Sequence, residues 1–284
     1  VKLISWNIAK RVKFAELQAA ALVEQQPDVV ALQEVNHRSL PKLVKGLEAG
    51  GLTYLQSAVP LHSTESQARA IGVLIASRFP LATVNCGMKL ESWPEKSAVA
   101  IVQCPFGLVE VNVVHVPPGR SHGWGKIRVF ESIYAAMAKT SQTHRVLCGD
   151  FNSPQAELEN GEVICWGKRL LKNGQWRLKR SLRGGSAEEW ERGEASVLVG
   201  LREFDLDDVF RRINGYKVPA FSIEMKHRNT LTRRRFDHIL ASRSLGAVSC
   251  SYLHALRERG LSDHAPIEAV FSASTTQTTM SSLL

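Results

Sequence analysis

The chain has 284 residues, 44% of them hydrophobic, so it can bury one large core; a single domain of α/β or β-sandwich type fits as well as two small ones. No run approaches the roughly 18 consecutive apolar residues of a transmembrane helix, and five scattered cysteines with no C-x-x-C pair speak against a disulfide framework or a zinc site. Lys and Arg number 36 against 27 Asp and Glu, and the resulting formal charge of +9 favours a polyanionic partner without choosing among them.

In chain order, the first predicted element is a strand over "KLISWNIA", and the opening decamer has no signal-peptide core. Because residue 1 is Val, a removed leader stays open; the unpaired cysteines point to a reducing, cytoplasmic setting. A helix over "FAELQAAALVEQQ", a strand over "DVVALQEV" and a helix over "RSLPKLVKGLEAG" follow. Strands are then predicted at "AIGVLIAS", "SAVAIVQC" and "GLVEVNVVHV", a helix over "KIRVFESIYAAMAKT", and a strand at "HRVLCGDFN". Residues 154–203 read as irregular and polar with one short helix, and "FDLDDVFRRING" as a helix capped by Gly215. "RRRFDHILAS", "SCSYLHAL" and "APIEAVFS" return to strands, and "ASTTQTTMSSLL" has the composition of a loose tail. Two sets of strands with helices outside is the natural architecture.

Several of these strands end in a polar residue that a core would not choose. They are Asn7 in "SWN", Glu34 in "LQEV", His115 in "VVHVPPG", Asp150 and Asn152 in "GDFNS", Asp237 with His238 in "RFDHIL", and Asp263 with His264 in "SDHAP". Singly, each has a local explanation, such as a turn, a cap or a solvated strand end. Together they place acids, amides and imidazoles at the same relative position after apolar runs, which describes a polar cleft on a rigid scaffold. Oxygen donors without Cys or paired-His spacing suit Mg²⁺ or Mn²⁺.

In their order these motifs resemble the endonuclease/exonuclease/phosphatase superfamily, the fold of DNase I and exonuclease III, from residue 1 to about 272. "GVLIASRFPL" is similar to that family's strand ending in Ser-Arg-aromatic-Pro. The resemblance implies a four-layer α/β sandwich of two packed mixed β-sheets flanked by helices, one catalytic domain over 1–272 with a polar tail at 273–284, and metal-dependent cleavage of a phosphate ester. It implies that Glu34 is the principal metal ligand, that Asn7 lies beside the metal, and that Asp263 supports it. It further implies that Asp150 and Asn152 activate and position water, and that His264, paired with Asp237, contacts the scissile phosphate. His115 falls where the abasic-site endonucleases usually place Tyr and the DNase I, sphingomyelinase and deadenylase branches place His. Ala9 and Pro118 depart from residues common in the exonuclease III branch and weigh against that assignment.

The fold does not choose the ester; charge is the local guide. From Trp166 to Ser186 the sequence carries Lys168, Arg169, Lys172, Arg177, Lys179, Arg180 and Arg183 with no acid, and Trp166 and Trp176 are interleaved. Such a composition suits a phosphate-tracking loop with stacking platforms, and competes with a plain solvated basic face. Arg233 and Arg235 precede Asp237 and add to the expected nucleic-acid contacts. A monomeric nuclease acting on DNA is favoured and RNA stands next. The alternatives are a lipid or small-molecule phosphodiesterase, for which no apolar docking hairpin is seen, and a catalytically silent nucleic-acid-binding relative, which the full motif set disfavours.

Overall fold

Strands whose side chains are apolar on both faces must be covered twice, and here that requirement builds the architecture. A computed structural model of the chain describes residues 1–60, 70–83, 88, 90–227 and 230–272. Its strands are β1 (Lys2–Asn7), β2 (Val29–Val35), β3 (Tyr54–Ser57), β4 (Gly72–Ser77), β5 (Leu81–Thr83), β6 (Ser97–Cys104), β7 (Gly107–His115) and β8 (His144–Asp150). The short β9 (Ala156–Glu157), β10 (Val163–Ile164), β11 (Lys168–Leu170), β12 (Trp176–Leu178) and β13 (Asp207–Asp208) follow. The last are β14 (Ile223–His227), β15 (Thr230–Arg234), β16 (Asp237–Ala241), β17 (Ala247–Tyr252) and β18 (Ile267–Phe271). The helices are α1 (Ala15–Glu24), α2 (Leu40–Ala49), α3 (Gly119–His122), α4 (Gly125–Met137), α5 (Ala187–Leu198), α6 (Val209–Asn214) and α7 (His254–Glu258).

Two six-stranded sheets result, ordered β17-β18-β1-β2-β4-β3 and β13-β16-β8-β7-β6-β5. Each is mixed: β1 and β2 run parallel, as do β7 and β8, while their other neighbours are antiparallel. Alternation sorts the side chains into three buried layers. Leu3, Val29, Ala31 and Ile75 of the first sheet meet Ala100, Val111, Val113 and Ile239 of the second. On the other face of the first sheet, Ile4, Trp6, Val30 and Leu32 pack on Ala19 and Leu22 of α1 and Leu43 and Leu47 of α2. Beyond the second sheet, Val114, Leu147 and Leu240 pack on Phe130 and Ile133 of α4 and Val197 of α5. This is the four-layer α/β sandwich that the sequence implied.

Several elements depart from the sequence reading. The run at 233–242 is broken at Arg235 and Phe236, because β15 belongs to a hairpin with β14 while β16 belongs to the second sheet. "SCSYLHAL" is a strand only to Tyr252 and then turns into α7. In 204–215 the helix is only α6, preceded by β13, and Gly215 ends it at φ +73° as expected. Residues 154–203, read as irregular, hold two small hairpins and the 12-residue α5. Ser186 and Glu189 close a capping box at the start of α5, a signal present in "SAEE". Cys104, Cys148, Cys165 and Cys250 are buried and unpaired. No helix among the described residues is long and apolar enough to cross a membrane. The expected tail at 273–284 lies outside the described residues.

Candidate active site

Strand register brings the polar residues together. In the second sheet His115 on β7 and Asp237 on β16 both stand opposite Asp150 on β8, so three ionisable groups sit side by side at one sheet end. Gly149, just before Asp150, has φ +141°, and a Cβ there would lie 1.9 Å from the Val114 carbonyl oxygen. Only glycine lets β8 approach β7 so closely, which explains the glycine of "GDFN". From the first sheet Asn7, at the end of β1, donates from Nδ2 to Asp150 Oδ2 at 2.9 Å, tying the two sheets at the cleft. The segment before β18 is held by Trp6, whose Nε1 donates to the His264 carbonyl at 2.9 Å, and by Ser262, whose Oγ donates to the Asn7 carbonyl at 2.7 Å.

His264 Nδ1 lies 2.7 Å from Asp237 Oδ2, and its Nε2 lies 4.0 Å from Asp150 Oδ2. Burial opposes the imidazolium, but Asp237's charge and hydrogen bond outweigh it; with Asp150 and Asp263 they push the His264 pKa up to about 10. His264 is therefore a cation at neutral pH, with Nδ1–H donating to Asp237. Burial and the neighbouring Asp237 push Asp150 up to about 7, against the His264 charge and the hydrogen bonds from Asn152 and Asn7. A carboxylate poised there is suited to take a proton near neutrality.

His115 has the opposite character. Burial first, then the charges of Lys96 and His264, lower its pKa, so the ring is neutral. Lys96 Nζ lies 3.3 Å from His115 Nδ1, and an ammonium can only donate, which assigns the ring proton to Nε2. That Nε2–H faces Glu34 Oε1 at 3.7 Å and Asp150 Oδ2 at 3.9 Å. Lys96 is buried, and in "WPEKSAVA" it reads as an ordinary solvated residue before a strand; nothing in the sequence marks it.

Asn152 completes the turn after β8. Its backbone N–H donates to Asp150 Oδ1 at 2.8 Å and its Nδ2 to the Val116 carbonyl at 2.8 Å, with φ +49°. Glu34 also has a left-handed backbone, φ +58°, at a register shift between β2 and β4. Non-glycine residues held so cluster at functional positions. Asp263 stands exposed on the rim next to His264. His238, neighbour of Asp237, turns away to Asp208 Oδ2 at 3.1 Å and the Ser153 carbonyl at 2.8 Å.

Asp150, Asp237 and His264 place one ligand atom each within 4.8 Å of one another, a buried cluster able to hold a metal ion. Within it, however, the His264 Nδ1 proton is committed to Asp237. The Glu34 carboxylate faces only the neutral His115 within ion-pair distance among the described residues, and Asp237 Oδ1 is buried without a hydrogen-bond partner. Uncompensated carboxylate oxygens of this kind fit a hard divalent cation.

The basic residues divide. Arg169, Lys172, Arg177, Arg180 and Arg183 are exposed, and Arg169 and Arg177 face each other across β11 and β12. Trp176 is half-buried. Lys168 is held by Glu162 at 2.9 Å and Glu191 at 3.7 Å, acids from outside the acid-free run, and Lys179 Nζ donates to the Trp166 carbonyl. Arg233 pairs with Glu224 at 2.9 Å. Arg235 corrects the sequence reading: it is buried, bonded to both oxygens of Glu157 at 2.7 and 2.6 Å and to Asp208 at 2.7 Å, so its charge is spent inside the fold. A cavity of about 820 Å³ opens beside Asn152, walled by Trp166, Trp190, Phe236 and Met225, with Lys179 and Arg183 among its cations.

The model of the Endonuclease/Exonuclease/phosphatase family matches residues 4–264. Exodeoxyribonuclease III of Haemophilus influenzae is 25% identical over 296 positions, covering 95% of this chain and 100% of that protein. The departures at Ala9 and Pro118 therefore do not separate the chain from an exonuclease III relative. Among solved structures, an AP endonuclease from Archaeoglobus fulgidus superposes with a TM-score of 0.66 at 20% identity, covering 96% of this chain and 99% of that one. A 3′ phosphatase from Neisseria bound to a product DNA hairpin gives 0.61 at 20% identity, covering 95% and 99%.

Proposed function

Because the chain belongs to the endonuclease/exonuclease/phosphatase family, we propose that it is a Mg²⁺- or Mn²⁺-dependent phosphodiesterase that hydrolyses DNA. The observation that carries this reading is the linked set of Asn7, Asp150 and Asn152, flanked by the charged His264–Asp237 pair and the neutral His115. Phosphodiester hydrolysis needs an activated in-line water and neutralisation of charge on the phosphate oxygens. Asp150 takes the proton of the attacking water, and Asn152 orients that water through its amide. The His264 imidazolium stabilises negative charge on the phosphate as the water oxygen bonds to phosphorus and the P–O bond to the departing sugar oxygen breaks, His115 Nε2–H donates to a phosphate oxygen, and the departing oxyanion takes its proton from solvent. Glu34, with Asn7 and Asp263, would hold the cation, which when bound supplies Lewis-acid stabilisation of the phosphate.

DNA is favoured by charge and by the names of the relatives, an exodeoxyribonuclease and structures of an AP endonuclease and a DNA-bound phosphatase. Exposed arginines on the segment around β11 and β12, and a cation-rimmed, aromatic-walled cavity beside Asn152, suit a phosphate backbone with unstacked bases better than a lipid headgroup. Each side chain that neutralises a duplex phosphate contributes about 0.9 to the slope of log binding constant against log salt. Replacing Arg177, Arg180 and Arg183 together by Glu is therefore expected to flatten that slope for duplex DNA, measured by fluorescence anisotropy across a salt series. An unchanged slope would return the segment to a solvated face and remove the local support for nucleic acid.

A further inference from the structure

Lys126 and Glu194 are among the most deeply buried charged side chains of the protein, and neither belongs to the cleft constellation. Lys126 Nζ has three protons and three acceptors: the Asn152 carbonyl at 2.8 Å, Ser153 Oγ at 2.7 Å and Glu194 Oε1 at 2.7 Å. Glu194 in turn accepts from Trp190 Nε1 at 2.8 Å and from the Trp166 backbone N–H at 2.9 Å. Trp166 closes the circuit, because its Nε1 donates to the same Asn152 carbonyl at 3.0 Å. One carbonyl in the turn after Asp150 is thus gripped from α4 and from the 154–203 segment at once.

Stability alone does not account for this arrangement. A buried ion pair loses the hydration of two charges, and an apolar pair of similar volume often serves the fold as well or better. What the pair adds is definition. Asn152 sits at φ +49°, a left-handed backbone that asparagine tolerates without being fixed in it, so the surroundings select it. Its N–H and its Nδ2 already serve Asp150 and Val116, which leaves the carbonyl as the remaining handle on the turn. The Lys126 stem is confined as well: a Cβ on Gly119 would come within 2.7 Å of Trp190 and 3.3 Å of Lys126 Cδ, so the chain closes tightly over it.

We propose that Lys126 and Glu194 are positioning residues that fix the Asn152 turn, and with it the water-orienting amide, by joining α4, Trp166 and the Asn152 carbonyl into one closed network. The proposal rests on the hydrolytic reading of Asp150 and Asn152. Trp166 and Trp190 also wall the cavity beside the turn, so the same network links that wall to the reacting end of the site.

The test is the double variant Lys126→Met, Glu194→Gln, which removes both charges together and leaves no unpaired ion inside. The thermal midpoint is expected to fall with the fold retained, because the Gln NH₂ meets one of the two tryptophan N–H donors and Ser153 Oγ loses its lysine partner. Turnover of bis-p-nitrophenyl phosphate is expected to fall about 10²-fold at unchanged KM, the scale of a misplacement near 1 Å. Amide exchange at Phe151 and Asn152 is expected to accelerate while Leu147, inside β8, stays protected. Native turnover with native exchange would overturn the proposal, and so would losses that come with an unprotected β8. Should the double variant not fold, Lys126→Arg reads the same turn: faster Asn152 exchange with β8 protected supports the proposal, and unchanged exchange and turnover overturn it. If the native protein hydrolyses no phosphodiester, the proposed function falls, and the exchange measurement still decides whether the network fixes the turn.

Discussion

Asp150→Asn is expected to lower turnover by about 10³- to 10⁴-fold, the upper range for loss of a general base, while leaving divalent-cation affinity nearly intact. The geometry explains both halves. Asp150 Oδ1 accepts from the Asn152 N–H and Oδ2 from Asn7 Nδ2. An asparagine keeps the first bond with its carbonyl oxygen, whereas its NH₂ meets the Asn7 NH₂ and that one bond is lost, Asn7 staying in place because its Oδ1 accepts from the Ala9 N–H. The turn is expected to survive, whereas the group proposed to take the proton of water is gone. Glu34→Gln is expected to do the reverse in emphasis, weakening cation binding first, because among the described residues its carboxylate has only the neutral His115 within ion-pair distance. Calorimetric titration of Mn²⁺ into both variants ranks them. The opposite order would mean that the two carboxylates have exchanged roles.

The second large effect concerns His264 and Asp237. Removing the imidazolium by His264→Ala is expected to cost about 10²-fold or more in turnover, the scale for a lost charge-stabilising group. Asp237→Asn is expected to share most of that loss, because the 2.7 Å bond from Nδ1 and the carboxylate's charge are what keep His264 protonated. Two residues acting as one unit do not have additive barriers. The double variant is therefore expected to turn over about as slowly as the slower single variant. Multiplying losses, with thermal midpoints preserved, would dissolve the pair.

The sandwich was legible because its strands are apolar at consecutive positions, which demands cover on both faces, and because polar residues at the ends of several strands stand out against such runs. Asn7, Glu34, His115, Asp150 and Asn152 announce themselves at or just past the end of a run, Asp237 at the start of one and His264 just before one. Lys96, Lys126 and Arg235 do not, since a lysine or arginine in sequence reads as solvated and only the fold reveals its partner. Arg235 meets Glu157, 78 residues away, and Lys126 meets Glu194, whose place depends on α5 packing against α4. The same distance effect misled the count of charges around β11, where Glu162 and Glu191 reach Lys168 from either side of the acid-free run. The capping box of α5 was readable and local; the strands around it are two or three residues long, too short for a period to register.

A divalent-cation-dependent site for DNA phosphodiester hydrolysis, as proposed for these residues, is tested most directly by turnover of a labelled DNA duplex and single strand with protein stripped by EDTA and then titrated with Mg²⁺ or Mn²⁺. No cleavage is expected in the stripped sample, and recovery is expected to saturate with added cation, with Glu34→Gln requiring more of it. Full cleavage by the stripped protein would rule out cation-dependent hydrolysis at this site.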